Sequence, residues 1–235
     1  MSYFYAVYKL LGKIVVKAII VAGLFGVPLL AFVFKLYYPE VLHGWIFVFF
    51  VFCLAIERTW ETFYTAKEQQ KYKLHGDWTL PLVSIAYIIM VVGIILEFFI
   101  FQREINVLVL LLGVFALILS FILRVCSMRT LKNQWSVHAV GAKKVKEVFL
   151  VRTGPYKHIR HPIYLGVILE VLSIPLIWNA YFSCIFVCMI NIPLQVMRAY
   201  FEEKATIRKL GKDYITYKNS VPAFFPINIF KFGKK

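Results

Sequence analysis

The sequence predicts an all-α, polytopic membrane protein: a helix bundle of about six transmembrane helices that ends in a helical hairpin, with a loop and a tail in the cytoplasm. Hydrophobic residues make up 61% of the 235 residues and the mean hydropathy is +0.74, more than a soluble domain of this length needs. Several runs approach the roughly 20 apolar residues that cross a bilayer. The basic residues also fall almost entirely on one of the two sides of the membrane that these runs define.

The apolar runs give the helices in chain order. Four runs are each interpreted as one helix, and a fifth is long enough for two passes. In that last run Pro175 and then Trp178-Asn179-Ala180 indicate a turn between two helices, which predicts the hairpin. The runs are Val15–Tyr37, Val41–Ile56, Leu80–Phe101, Ile105–Leu123 and Ile163–Met197.

The positive charges support six crossings. With both termini on one side, all of the 27 Lys and Arg residues except Lys35 and Arg103 fall on that side. This is the positive-inside pattern, so both termini and the main loops are predicted to be cytoplasmic. The net charge of +15 then reflects topology and anionic lipid headgroups, and no nucleic-acid partner is expected. No glycine-rich nucleotide loop is present, which excludes a soluble Rossmann-type enzyme.

Residues 154–166 form a segment rich in polar rings, GPYKHIRHPIYLG, where the chain re-enters an apolar run. Pro162 suits the first turn of a helix, so His161 is predicted near the N-cap, where free N–H groups suit a carboxylate. Tyr156, His161 and Tyr164 could enclose a flat heterocycle or a cation. The alternative is an interfacial belt that anchors a helix end without function.

A second polar cluster follows the predicted hairpin. Arg198 and Glu202 are four residues apart, so they share one helix face. The alternative to a site is an interfacial ion pair with a snorkelling arginine. The hairpin returns Arg198 to the side of His161, where arginine could orient an anionic group and the carboxylate could hold an ammonium or a ribose. Such a site suits a lipophilic acceptor and a soluble donor.

Together, these residues resemble a known family. Tyr156, the motif RHPIYLG at residues 160–166, and Arg198 with Glu202-Glu203 are similar to the isoprenylcysteine carboxyl methyltransferase superfamily, which includes membrane phospholipid N-methyltransferases. The resemblance covers about residues 135–225. It implies N-terminal transmembrane helices over residues 1–123 and a catalytic region over 124–235. The loop and tail of that region would hold the cofactor.

The resemblance also implies a cofactor and residue roles. S-adenosylmethionine would donate the methyl group by direct transfer, which needs positioning and desolvation and no metal. Arg198 and Glu202 would be catalytic. Arg198 would meet the acceptor carboxylate, with Glu170 as a second acceptor contact or base. The implied cofactor-binding residues are Leu150, Val151, Tyr156, His161, Pro162, Ile163, Tyr164, Gly166, Glu202 and Glu203.

The acceptor stays open at this point. The segment Leu165–Ala180 is closer to bacterial members of the superfamily, some of which are associated with methylating long-chain phenolic or pyrone lipids. The resemblance thus implies an acceptor that is either isoprenylcysteine-like or a long-chain phenol or pyrone lipid. The alternatives are phospholipid N-methylation and a non-catalytic membrane transporter or scaffold. Glu170 could instead be a buried partner of an arginine or a serine. The tail, with Tyr214 and Tyr217, is expected to lie on the membrane surface and close the cofactor pocket. The oligomeric state cannot be predicted.

Overall fold

The structure is a computed structural model that describes residues 18–63 apart from residue 20, residues 79–131 and residues 150–225. Within these ranges the regular secondary structure is helical. Helix α1 begins with one wide π turn, Ala22–Gly26, and α6 contains another, Val187–Asn191. The helices are α1 Ala22–Tyr37, α2 Gly44–Phe63, α3 Thr79–Phe101, α4 Val107–Leu131, α5 Pro162–Ile177, α6 Tyr181–Leu210 and α7 Lys212–Ser220.

A helix lies in each of the six regions that the apolar runs predict. Among the described residues, three helices are long and apolar enough to cross a membrane, α3 from Pro81 onward, α4 and α6, while α1 and α5 are shorter apolar helices. The count of six crossings and the crossing hairpin therefore stay predictions. So do the division into two regions and the cytoplasmic orientation. The N-terminal lysines and most of the segment after α2 lie outside the described residues.

One boundary of the sequence prediction is wrong. The fourth helix was predicted to end at Leu123, but α4 continues to Leu131. Arg124 is only 4% exposed and belongs to the packed interior of the bundle. The apolar run ends just before Arg124, at Leu123. The guanidinium of Arg124 binds carboxylates inside the protein, so the charge at this position does not end the helix.

Helices α4 and α5 form the closest helix pair. Gly113 near the start of α4 faces Ile177 at the end of α5, and Gly166 near the start of α5 faces Arg124, so the two helices run antiparallel. A Cβ atom on Gly113 would lie 2.8 Å from the backbone nitrogen of Ile177. Ser120 Oγ donates a 2.7 Å hydrogen bond to the carbonyl of Gly166. Small residues at this seam allow the backbones to approach, as is common between membrane helices.

The end of the bundle away from residues 154–166 is held by Glu97 of α3. This carboxylate, 5% exposed, accepts hydrogen bonds from the backbone N–H groups of Phe182 and Ser183 at 3.1 and 3.0 Å. These N–H groups belong to the first turn of α6 and have no partner within their own helix. Arg103 completes the cluster with a 2.8 Å ion pair to Glu97. The turn before α6, where Asn179 has φ 53°, is fixed in this way.

An aromatic cluster fills the core beside this end. Phe47 of α2 stacks on Phe98 of α3 with ring centroids 4.2 Å apart, and Trp178 packs edge-on against Phe47 at 4.9 Å. Such pairs add about 0.5–1.5 kcal/mol each beyond the burial of their area. The core joins α1, α2, α3, α5 and α6, and it leaves the opposite ends of α5 and α6 to form the polar region described next.

Candidate active site

The ring-rich segment begins with a tight turn. Gly154 has φ 55°, and a Cβ atom there would lie 2.7 Å from Thr130 Oγ1 of α4. Glycine suits this position on both counts. A 3₁₀ turn, Gly154–Lys157, follows. Helix α5 then begins with Pro162 in its first turn and His161 as its N-cap. The predicted helix start at Pro162, with His161 at the N-cap, is confirmed.

Helices α5 and α6 bring the two sequence motifs into contact through Glu203. Its Oε1 accepts a 2.7 Å bond from Arg160 Nε and lies 3.2 Å from His161 Nε2. Its Oε2 accepts a 2.7 Å bond from Lys218 Nζ, and Tyr214 Oη lies 3.5 Å from Oε1. We refer to these five residues as the Glu203 cluster. The predicted proximity of residues 154–166 and the end of α6 is thus observed.

The chain after α6 closes over the start of α5, and we call residues 212–225 the strap. The backbone N–H groups of Arg160 and His161 donate to the carbonyls of Pro222 and Ala223 at 2.9 and 3.0 Å. The ring of Phe224 lies 5.6 Å from that of His161. Arg160 Nη1 also donates to the carbonyls of Lys218, at 2.9 Å, and Val221. The strap therefore covers the motif through main-chain contacts as well as charges.

Two tyrosines join the strap to the 3₁₀ turn. Tyr217 Oη donates a 2.6 Å hydrogen bond to the carbonyl of Tyr156, and both rings are buried. Burial raises the pKa of Tyr156 well above its usual range, and the charge of Glu202 raises it further. Burial also raises the pKa of Tyr217 to about 12, against the opposing charges of Arg160 and Arg152. Both phenols are therefore neutral hydrogen-bonding groups at neutral pH.

Glu202 has a different environment from its neighbour Glu203. Its Oε2 is buried and has no hydrogen-bond partner within the described part of the chain, although its charge acts on Tyr156. Arg198 lies one turn earlier on the same face of α6 and is 5% exposed. A buried carboxylate oxygen without a partner is costly, so this position is suited to a ligand that donates a hydrogen bond or carries a positive charge.

The other predicted site residues divide between the two sides of α5. His161 and Tyr164 pack edge to face at 5.7 Å, and Leu150, Val151 and Ile163 are half-buried near them in sequence. Gly166, which the resemblance assigns to the cofactor, instead lies against α4, where a Cβ atom would be 2.5 Å from Arg124 Cγ. Its surroundings therefore favour a packing role.

Glu170 lies on the same side of α5 as Gly166, roughly 120° around the helix from Tyr164. It is 2% exposed and forms ion pairs with both Arg58 of α2 and Arg124 of α4. Glu57 binds the second nitrogen of Arg124 at 2.7 Å. Glu170 thus belongs to a buried ionic cluster that joins three helices. This geometry favours the alternative of a buried arginine partner over an acceptor contact.

Sequence reasoning missed two groups in the region. Lys218 was not singled out, although it binds Glu203, and Arg58 and Arg124 were treated only as topological charges. The tail with Tyr214 and Tyr217 was predicted to lie on the membrane surface and to close the cofactor pocket; both rings are buried against the motif, and the membrane-surface location stays a prediction. Their spacing of three residues on a short polar helix was the available signal, since it puts two rings on one face.

Comparisons with known proteins match this region of the chain. The model of the isoprenylcysteine carboxyl methyltransferase family matches residues 108–208, which include α5, most of α6 and the Glu203 side of the site. The uncharacterised protein YpbQ of Bacillus subtilis is 30% identical over 158 residues, covering 65% of this chain and 91% of that protein. A relative is therefore matched over nearly its whole length.

Two named enzymes match shorter parts of the chain. The protein-S-isoprenylcysteine O-methyltransferase of Saccharomyces cerevisiae is 32% identical over 115 residues, which cover 49% of this chain and 48% of the enzyme. The corresponding enzyme of Schizosaccharomyces pombe is 27% identical over 90 residues, which cover 38% of each chain. The chain thus spans half or less of these two enzymes. With the motif, the Glu203 cluster and the match to YpbQ, these similarities establish that the chain belongs to the isoprenylcysteine carboxyl methyltransferase family.

Proposed function

We propose that the protein is an integral membrane methyltransferase that transfers a methyl group from S-adenosylmethionine to a carboxylate or hydroxyl oxygen of a lipophilic acceptor. Family membership and the names of the two yeast relatives support methyl transfer. The apolar helices α3, α4 and α6 support a membrane location. The site would lie at the cytoplasmic end of the bundle, where a soluble donor and a membrane-embedded acceptor can meet.

The observation that carries this proposal is the unpartnered Oε2 of Glu202 beside Tyr156. S-adenosylmethionine carries a ribose, an ammonium group and a sulfonium, and each of these would satisfy a buried carboxylate oxygen by hydrogen bonding or charge. Tyr156, His161 and Tyr164 would supply ring faces and edges for the adenine, with the strap as a cover. The residues present therefore fit the cofactor.

For this reaction the protein would mainly have to position the methyl donor and the acceptor. When bound, S-adenosylmethionine would supply an electrophilic methyl group, which would pass from its sulfur to the acceptor oxygen and leave a neutral thioether. A carboxylate acceptor would have no proton to lose, so it would need no base, whereas a hydroxyl acceptor would react as its oxyanion after releasing its proton to solvent. Arg198 would orient the anionic acceptor bidentately, while the covering strap would exclude water. In-line alignment supplies most of the rate enhancement in such a transfer.

Arg198 also helps to distinguish O-methylation from the alternative, methylation of a phospholipid amine. An amine headgroup would meet the positive charge of this buried guanidinium, whereas a carboxylate or a phenolate would be attracted to it. O-methylation is therefore favoured over phospholipid N-methylation. We expect Arg198→Ala to lower kcat/KM for the acceptor about 10- to 150-fold, the equivalent of one lost charge-assisted contact, and to leave cofactor affinity within about twofold of wild type.

Calorimetric binding of S-adenosylhomocysteine to the full-length protein in detergent tests the proposal. Saturable binding is expected, and Glu202→Gln should weaken it roughly 10- to 150-fold because one charge-assisted hydrogen bond is lost. Glu104→Gln is the matched control, since it removes an exposed carboxylate at the other end of the bundle. Absence of binding to folded wild-type protein, or equal binding by both variants, would contradict the proposed site.

A further inference from the structure

A line of polar side chains continues from the candidate site into the apolar part of α6. Asn191, Gln195 and Arg198 are 2%, 3% and 5% exposed, and Glu202 follows one turn later. The spacings of four, three and four residues place all four on an arc of about 60°. The line therefore forms a single polar stripe on one face of a helix that is otherwise apolar enough to cross a membrane.

The stripe faces the interior of the bundle. Helix α6 packs against α3 and α5, while Met189, Ile190 and Tyr200 are exposed on its outer side. Polar side chains at membrane depth are costly and commonly mark the path of a ligand. In an ordinary structural role, these side chains would join α6 to a neighbouring helix by hydrogen bonds. The amide oxygen and the amide nitrogen of Asn191 and of Gln195 would then each have a partner.

Asn191 does not fit that ordinary role. Its Nδ2 is buried without a hydrogen-bond partner within the described ranges. The residue also ends the π turn Val187–Asn191. A π turn inserts a residue and rotates the following face of the helix, and such turns are frequent at functional sites. The stripe thus has an unpartnered donor at its deep end, Asn191, and an unpartnered acceptor at its outer end, Glu202 Oε2.

We propose that Asn191 and Gln195 form a subsite for the acceptor, which carries a second hydrogen-bond-accepting oxygen beneath the group that is methylated. This inference rests on the proposed function. Asn191 lies seven residues before Arg198, about 10 Å along the helix. An acceptor whose anionic group meets Arg198 would therefore place a carbonyl, ester or ether oxygen about 10 Å deeper, where Asn191 Nδ2 donates to it.

The subsite distinguishes between classes of lipid. A tail that is purely hydrocarbon at this depth would leave Asn191 Nδ2 unsatisfied, whereas an oxygenated chain would pair with it. An unsatisfied buried amide costs about 1–3 kcal/mol, which corresponds to a preference of roughly 5- to 150-fold for the oxygenated acceptor. The acceptor class is thus a long-chain lipid acid or phenol with an oxygen function along its chain, in contrast to an unsubstituted isoprenoid.

Two acids of equal chain length test this inference. One is a saturated fatty acid, and the other is a keto acid whose ketone lies about 10 Å from the carboxylate. Methyl transfer to each is measured with full-length protein in lipid nanodiscs as kcat/KM, beside calorimetric binding of S-adenosylhomocysteine. Wild type should prefer the keto acid by roughly 5- to 150-fold. Asn191→Leu should abolish this preference and leave S-adenosylhomocysteine affinity unchanged.

Cys188→Leu is the matched control, because Cys188 lies in the same π turn but is exposed on the outer side of α6; this variant should keep the preference. Equal use of both acids by wild type, or a retained preference in Asn191→Leu, would overturn the subsite. Transfer to neither acid with intact S-adenosylhomocysteine binding would also overturn it. Loss of S-adenosylhomocysteine binding by wild type would instead refute the proposed function itself.

Discussion

Glu203→Gln removes the negative charge at the centre of the Glu203 cluster and keeps the size of the side chain. In the wild-type protein this carboxylate binds Arg160 of the motif and Lys218 of the strap, each at 2.7 Å. The substitution leaves both cations opposite a neutral amide. We expect the strap to open more often, because Lys218 of the strap loses its charged partner, while the helices of the bundle stay folded.

The burial of each partner sets the size of the effect. The Arg160 and Glu203 side chains are 11% and 8% exposed, and loss of one partner of a buried pair costs about 3–5 kcal/mol. The Lys218 side chain is 40% exposed, so its pair adds about 1 kcal/mol or less. Arg160 lies outside the strap, so its pair with Glu203 need not break when the strap opens. The Lys218 pair therefore sets the effect, about 1 kcal/mol or less, which is at most roughly a fivefold rise in the open population.

Limited proteolysis measures this population. Trypsin can cut after Lys212 or Lys218 only when the strap is open, and the cutting rate follows the open fraction when opening is fast relative to cleavage. The appearance of the strap peptides by mass spectrometry should be up to about fivefold faster in Glu203→Gln than in wild type.

Glu202→Gln is the matched control for this experiment, since it changes the adjacent carboxylate. Its Oε2 has no partner in the described protein, so strap cleavage should stay at the wild-type rate even though cofactor affinity falls. Equal cleavage of the two variants, or no acceleration in Glu203→Gln, would refute the assignment of Glu203 to closure of the strap and Glu202 to ligand binding.

Two further predictions concern packing and pH. Gly166→Ala should lower the free energy of unfolding by about 1–3 kcal/mol, because the new methyl group would lie 2.5 Å from Arg124 Cγ; the midpoint of thermal unfolding measures this. Gly26→Ala is the control and should not lower the midpoint, since nothing lies within 4 Å of a Cβ atom there. Equal midpoints for the two variants would contradict the close α4–α5 contact. Burial raises the pKa of Tyr217 from 10.0 to about 12, so its contribution to stability is complete below pH 10 and is lost as the pH rises through about 12. The ultraviolet titration of wild type minus Tyr217→Phe should show one tyrosinate forming near pH 12, and a difference centred near 10 would show that this phenol is not buried.

The helical architecture could be predicted from the sequence because it depends on local patterns. Apolar runs of about membrane length and the Pro162 helix start are properties of neighbouring residues, and helices occupy all six predicted regions. The boundary at Arg124 failed because a charge was taken as the end of the apolar segment. Its partner Glu170 lies 46 residues away, and no periodicity within one helix signals a pair at that separation.

The candidate site could be predicted only in part, for the same reason. The sequence identified the two polar clusters and predicted that they lie near each other, and the family resemblance implied roles for the adjacent Glu202 and Glu203. It could not separate those roles, since Glu202 and Glu203 differ by about 100° around α6 and therefore face different neighbours. Lys218 reaches Glu203 from 15 residues away through the turn at Gly211, whose φ of 55° sets the direction of α7.

The contact between Glu97 and the start of α6 has a consequence for how the protein is assembled. A chain is made from its N-terminus, and Phe182 follows Glu97 by 85 residues. Glu97 and its partner Arg103 are therefore made well before the N–H groups of α6 that Glu97 binds. Because α6 carries Arg198, Glu202 and Glu203, this part of the candidate site is assembled only after the earlier helices and their anchor at Glu97 have been made.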